Sequence, residues 1–99
     1  MKKDRRFYLC SMIVSGTQYH SPQSVGAMGE ADTLELDREP SNIYDPLAIA
    51  VLWEGTRIGY VPRQHVALLS SLLDNGYQIQ AAVDEAAQGI VSMNLWMFR

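Results

Sequence analysis

Asn42, Tyr44, Asp45 and Arg63 are the residues whose types and spacing can do chemistry. The stretch from Leu36 to Arg63 reads LDREPSNIYDPLAIAVLWEGTRIGYVPR, and it sets the polar, turn-forming segment Asn42-Ile43-Tyr44-Asp45-Pro46 between two strand-like runs. An exposed phenol ring can stack on a flat partner. An amide can donate and accept, a carboxylate can accept, and a guanidinium can hold an anion. That chemistry recognises a ligand; no nucleophile stands beside a base to transform one. His20 and His65 have no second ligand at helical or hairpin spacing and read as lone surface histidines. Asp84 and Glu85 are adjacent, so on a regular element they diverge. There is no Gly-rich phosphate loop, no Ser-His-Asp order and no cysteine nucleophile with a supporting motif. A non-catalytic binding module without a metal or other cofactor is expected.

The elements that position these groups belong to a chain of 99 residues with 47% hydrophobic content, the size of one domain with one core. Residues 1–5 are expected as a tail. The longest apolar runs, Ala48 to Trp53 and Val66 to Leu69, are too short to cross a bilayer. The basic start Met-Lys-Lys-Asp-Arg-Arg is followed by a brief apolar stretch broken by Ser11 and Ser15, unlike a secretory signal. Cys10 is the only cysteine, so neither an internal disulfide nor a cysteine-based zinc site can form. In its strand it reads as a small buried hydrophobe. A reducing cytoplasm fits, with no membrane partner. The net charge of -3 argues against a general nucleic-acid coat, which draws on dense Lys and Arg. Any nucleic-acid role must rest on a local site.

Arg6 to Val14 is aromatic and β-branched and suits a strand closing at Ser15-Gly16, followed by a loop from Gln18 to Asp32. Thr33 to Asp37 alternates, with Leu34 and Leu36 on one face, and Glu39-Pro40-Ser41-Asn42 stops it. Ala48 to Trp53 is a buried strand, Glu54-Gly55-Thr56 a hairpin turn, and Arg57 to Val61 the returning strand. Pro62 starts a helix in which Val66, Leu69, Leu72 and Leu73 recur at helical spacing, and Asn75-Gly76 supplies a left-handed stop. Tyr77 to Val83 and Gly89 to Phe98 are strands joined by Asp84 to Gln88, read as a helical turn. The last strand carries apolar groups on both faces and is placed centrally, with Met93, Trp96, Met97 and Phe98 read as core ahead of the alternative, an oligomer surface. Six strands and one helix at about 62–75 give an all-β class with minor α: a small antiparallel barrel with the helix across one opening.

The run Leu36-x-Arg38-Glu39-Pro40-x-Asn42-x-Tyr44-Asp45-Pro46-x-Ala48-Ile49-x-Val51, then Gly55, Ile58-Gly59-Tyr60-Val61-Pro62-Arg63 and a Leu-rich helix, closely resembles the HIRAN domain. The likeness extends from about Phe7 to the C-terminus. It implies an OB-like barrel of a family found at the N-terminus of helicase-like DNA-remodelling enzymes and as free-standing bacterial proteins, the type this chain is taken for. It further implies capture of the free 3′ end of single-stranded DNA, in DNA repair or replication-fork processing, with a helicase or repair protein as partner.

By that resemblance Tyr44 and Tyr19 match two stacking tyrosines, and Asp45 matches the carboxylate that accepts from the 3′-hydroxyl and repels a 3′-phosphate. Asn42 matches an asparagine at the terminal base or sugar. Arg63 stands where the family has a basic residue for backbone phosphate, and Arg38 lies near enough to contribute. The sequence departs from the family pattern at Gln18, where an Arg is expected, at Tyr60, where a His is, and at Leu47, where an Asn is. Gln18 keeps a hydrogen bond to phosphate without the charge, and Tyr60 offers a stacking ring. Without the resemblance, Asn42, Asp45 and Pro46 also read as ordinary turn chemistry with Tyr44 capping the core, and Asp37-Arg38-Glu39 as a solvated charge run. A different class stays open beside DNA binding: a protein-interaction domain whose groove holds a peptide or whose last strand pairs with another chain.

Overall fold

Runs of β-branched and aromatic residues bounded by turns form β1 (Phe7–Ile13), β2 (Thr33–Arg38), β3 (Ile49–Trp53), β4 (Thr56–Tyr60), β5 (Gln78–Ala87) and β6 (Ile90–Phe98), with the helix α1 (Arg63–Asp74) between β4 and β5. The computed structural model describes residues 6–17 and 28–98. The six strands make one antiparallel sheet in the order β1-β6-β5-β2-β3-β4. The mostly-β class, with one helix among the described residues, therefore stands.

The sheet curls until its two edges touch at one point. Ser15, just past β1, donates its N–H to the Tyr60 carbonyl at 2.8 Å and accepts the Tyr60 N–H at 2.9 Å. No ladder extends this bridge, so the OB-like barrel is not closed. Gly59 makes the contact sterically possible. A Cβ there would lie 2.7 Å from Val14 Cγ1 and closer still to the Ser15 carbonyl oxygen, so any side chain pushes the edges apart.

Two tight turns set the hairpins. Glu54 and Gly55, both at positive φ (50° and 81°), join Trp53 to its partner Thr56 as a type I′ turn. Gln88 and Gly89 (55° and 79°) do the same for β5 and β6. This second turn corrects the expected helical turn over Asp84 to Gln88. Glu85, Ala86 and Ala87 pair with Ser92, Val91 and Ile90, so β5 runs on through a bulge after Val83. The helix propensity of Glu-Ala-Ala yields to the ladder that the Gln88-Gly89 turn registers.

Helix α1 begins after Pro62, whose ψ of 149° is extended. At its other end Tyr77 N–H reaches the Leu72 carbonyl and Gly76 N–H the Leu73 carbonyl at 3.0 and 3.1 Å, with Gly76 at φ 89°. This is a Schellman stop with the glycine where the sequence places it. Val66 and Leu69 enter the core with Ile49, Val51, Ile58, Val83, Val91, Met93 and Leu95. Strand β6 alternates, Val91, Met93 and Leu95 inward. Trp96 is a correction: it lies on the outer face, half-buried, with Arg6 stacked over its ring at 4.9 Å and Tyr8 edge-on at 5.9 Å. Because β6 pairs with both β1 and β5, the last strand has no free edge to offer another chain, which corrects that part of the protein-interaction reading. Cys10 is half-buried against the core, and burial pushes its thiol pKa up.

Candidate binding site

The loop between β2 and β3 folds on its own side chains. Asn42 Oδ1 accepts the Tyr44 and Asp45 amides at 2.8 and 3.0 Å, and Asp45 Oδ1 accepts the Leu47 amide at 2.9 Å. Backbone bonds from Asn42 N–H to the Glu39 carbonyl, and from Ala48 N–H to the Asp45 carbonyl, both 3.0 Å, close the turns. The turn chemistry is real, but its product is presentation: the rigid loop holds Tyr44 at 88% exposure, away from the core it was read as capping. Leu47, the departure from the family pattern, takes part only through its amide and leaves its side chain exposed.

Opposite the loop stand the Ser15–Tyr60 bridge and the first turn of α1. Between them lies a cavity of about 280 Å³ lined by Ser15, Asn42, Tyr44, Asp45, Ala48, Tyr60, Val61, Arg63 and Val66. Five of the expected site residues, Asn42, Tyr44, Asp45, Tyr60 and Arg63, thus converge from the β2–β3 loop, β4 and α1. Among the described residues, Asp45 Oδ2 accepts no hydrogen bond, and the Arg63 guanidinium, at the cation-disfavouring start of a helix, has no hydrogen-bond or ion-pair partner. Gln18 and Tyr19 lie outside the described residues.

Arg38 does not line this cavity. Its Nε and one terminal nitrogen grip Asp74 at 2.9 and 3.1 Å, and its other terminal nitrogen donates to the Pro46 and Ala48 carbonyls at 3.0 and 3.1 Å. It ties the β2–β3 loop to the end of α1. The bond to Asp74 raises the Arg38 pKa and lowers that of Asp74.

Glu39 is the residue the sequence reading missed. Its carboxylate accepts from Asn42 Nδ2 at 3.0 Å, from the Tyr60 hydroxyl at 3.1 Å and from Arg57 at 3.4 Å. The Asn42 bond above all, then Tyr60 and Arg57, holds its pKa below the ordinary value. Burial and the Glu39 bond push the Tyr60 phenol up. Arg57 donates to the Tyr60 hydroxyl at 3.0 Å and lies over its ring at 5.5 Å. The charge run at 37–39 is therefore only partly solvated: Asp37 is exposed, while Arg38 and Glu39 hold the loop. Among the described residues, no group of three or more His, Cys, Asp or Glu is arranged to hold a metal, and no helix is long and apolar enough to cross a membrane.

The β2–β3 loop stands over the point where the two edges of an open antiparallel sheet meet. The HIRAN domain family model matches residues 7–97, and the chain belongs to that family. It is 33% identical over 86 residues to helicase-like transcription factor of Oryctolagus cuniculus, a match that covers 85% of this chain and 8% of that protein. In fold it is similar to a crystal structure of a protein from Lactobacillus plantarum, with a TM-score of 0.87 and 22% identity over 98% of this chain and 100% of that one. It is similar also to the crystal structure of the HIRAN domain of human HLTF, with a TM-score of 0.72 and 24% identity over 92% of this chain and 78% of that one.

Proposed function

We propose that this chain is a non-catalytic nucleic-acid-binding module that takes the free 3′-hydroxyl end of single-stranded DNA into the cavity between the β2–β3 loop and α1. One observation carries the reading: the loop fixes an exposed Tyr44 ring beside an Asp45 oxygen without a hydrogen bond, facing an Arg63 without a partner. The terminal base stacks on Tyr44, Asp45 Oδ2 accepts from the 3′-hydroxyl, and Arg63 meets the adjacent phosphate. Asn42 Oδ1 and one of its amide hydrogens hold the loop, leaving the other amide hydrogen for the sugar or base. Tyr60, its hydroxyl bonded to Glu39 and Arg57, contributes a ring wall. Tyr19 supplies the second ring and Gln18 a phosphate contact. Arg38 serves by bracing the loop. Such a module acts in DNA repair or replication-fork processing in the cytoplasm, beside a helicase or repair protein.

Fluorescence anisotropy with single strands ending in a 3′-hydroxyl, in a 3′-phosphate, or closed into a circle tests this. The hydroxyl-ended strand is expected to bind about tenfold tighter than either other, since one unscreened like charge or one lost charge-assisted bond is worth ~1.5 kcal/mol or more. Tyr44→Ala is expected to cost at least about fivefold, from a stacking contribution of ~1–3 kcal/mol. Equal affinity for the three strands rejects the pocket.

A further inference from the structure

Strands β2 and β5 pair only at Thr33↔Ala82 and Leu34↔Ala81, and then diverge. Beyond that point β2 is held by β3 and β5 by β6, so the facing backbone edges of residues 35–38 and 78–80 have no ladder partner toward each other. The gap is a groove of about 600 Å³. Leu36, Ile79 and Phe98 give it a half-buried apolar lining, and the exposed Glu35 and Asp37 charge one rim. Among the described residues, no basic side chain lines it.

We infer that this groove is a docking site for an extended, lysine- and arginine-rich peptide strand of a partner protein. Unpaired strand edges accept an added strand through its backbone, and pockets at alternate residues select its side chains. Four residues of strand at ~3.3 Å each span the ~13 Å from Leu34 to Arg38. Glu35 and Asp37 select cations and repel the phosphates of a nucleic acid. The surface is separate from the cavity that holds Tyr44 and Asp45, since the two share no lining residue. Its occupancy therefore stands or falls independently of DNA binding.

Anisotropy with a fluorescein-labelled acetyl-Lys-Val-Arg-Val-Lys-Val-amide and its all-glutamate counterpart, titrated with the full chain, reads the inference directly. The basic peptide is expected to bind and the acidic one not. The Glu35→Gln/Asp37→Asn variant, altered only at exposed positions, is expected to weaken the basic peptide at least about tenfold while its circular dichroism melt and its preference for a 3′-hydroxyl-ended strand stay as in the parent. Tyr44→Ala is expected to leave peptide binding untouched. Equal binding of both peptides, or no loss in the double variant, overturns the inference. So does peptide binding that tightens about tenfold in Lys2→Glu/Lys3→Glu, which would assign the groove to the chain's own basic N-terminal segment.

Discussion

Replacing Glu39 by alanine removes the acceptor that joins the β2–β3 loop to β4, and its cost can be worked from the structure. Two bonds to the carboxylate come from groups that are themselves half-buried, Asn42 Nδ2 at 3.0 Å and the Tyr60 hydroxyl at 3.1 Å. The third, from Arg57 at 3.4 Å, joins side chains 47% and 24% exposed and counts for little. Bonds to a charged acceptor contribute ~1.5–3 kcal/mol each. Taking the low end for two, and allowing water to replace part of it around a side chain 24% exposed, leaves a loss of about 2 kcal/mol. In a domain of this size that lowers the melting temperature by ~8–16 °C. Glu39→Gln keeps a neutral acceptor and should lose about half as much. Circular dichroism melts at neutral pH measure both. Single-strand anisotropy on Glu39→Ala below its melt should also show weakened binding, because Asn42 loses the partner that fixes it. A Glu39→Ala protein melting within about 2 °C of the parent refutes the argument, since less than ~0.5 kcal/mol would then flow through the carboxylate.

Acid pH reports on the same group. The folded pKa of Glu39 lies below its ordinary value, so its stabilisation is complete above the unfolded carboxylate range and fades as pH falls through the folded value. The melting gap between parent and Glu39→Gln is therefore expected to be constant from pH 7 to about 5 and to shrink below about pH 4; a gap that widens in acid contradicts the sign. Arg38→Met keeps the apolar stem but frees Asp74 and the Pro46 and Ala48 carbonyls. Amide exchange at Leu47 and Ala48 should accelerate about tenfold or more, corresponding to ~1.4 kcal/mol of lost local stability. Gly59→Ala drives a methyl into Val14 and the Ser15 backbone and should lower stability by ~2 kcal/mol in urea unfolding.

What the sequence makes legible follows the range of the interaction. Gly76 and the Leu-rich spacing before it declare α1 because a helix and its Schellman stop are settled within a few residues. The Asn42 and Asp45 turns are equally local, with donors two and three residues away. Glu39 escaped notice because two of its three partners, Arg57 and Tyr60, lie 18 and 21 residues off and meet it only once β2, β3 and β4 pair. Gly59 hides for the same reason, its neighbour being the end of the first strand. Asp84 to Ala87 misled in the opposite direction, since local propensity there favours helix while the register of β5 against β6 decides.

The same division of range separates scaffold from site. In and beside the β2–β3 loop the polar side-chain groups engaged by the fold can be checked off: the Glu39 carboxylate, Asn42 Oδ1, one Asn42 amide hydrogen, Asp45 Oδ1 and four Arg38 contacts. What remains, the Tyr44 ring, Asp45 Oδ2 and the Arg63 guanidinium, is not needed to hold the loop, and all three belong to residues around one cavity. Sequence spacing alone cannot make that division, because Asn42 and Tyr44 read as equally functional until their bonds are known. A substitution therefore discriminates the two roles by its readout. Loss of melting temperature with binding follows from Glu39 or Arg38, and loss of binding alone from Tyr44, whose 88% exposure leaves the fold little to lose. Were Tyr44→Ala to destabilise the domain by more than about 1 kcal/mol, the ring would be part of the scaffold and the cavity would lose its stacking face.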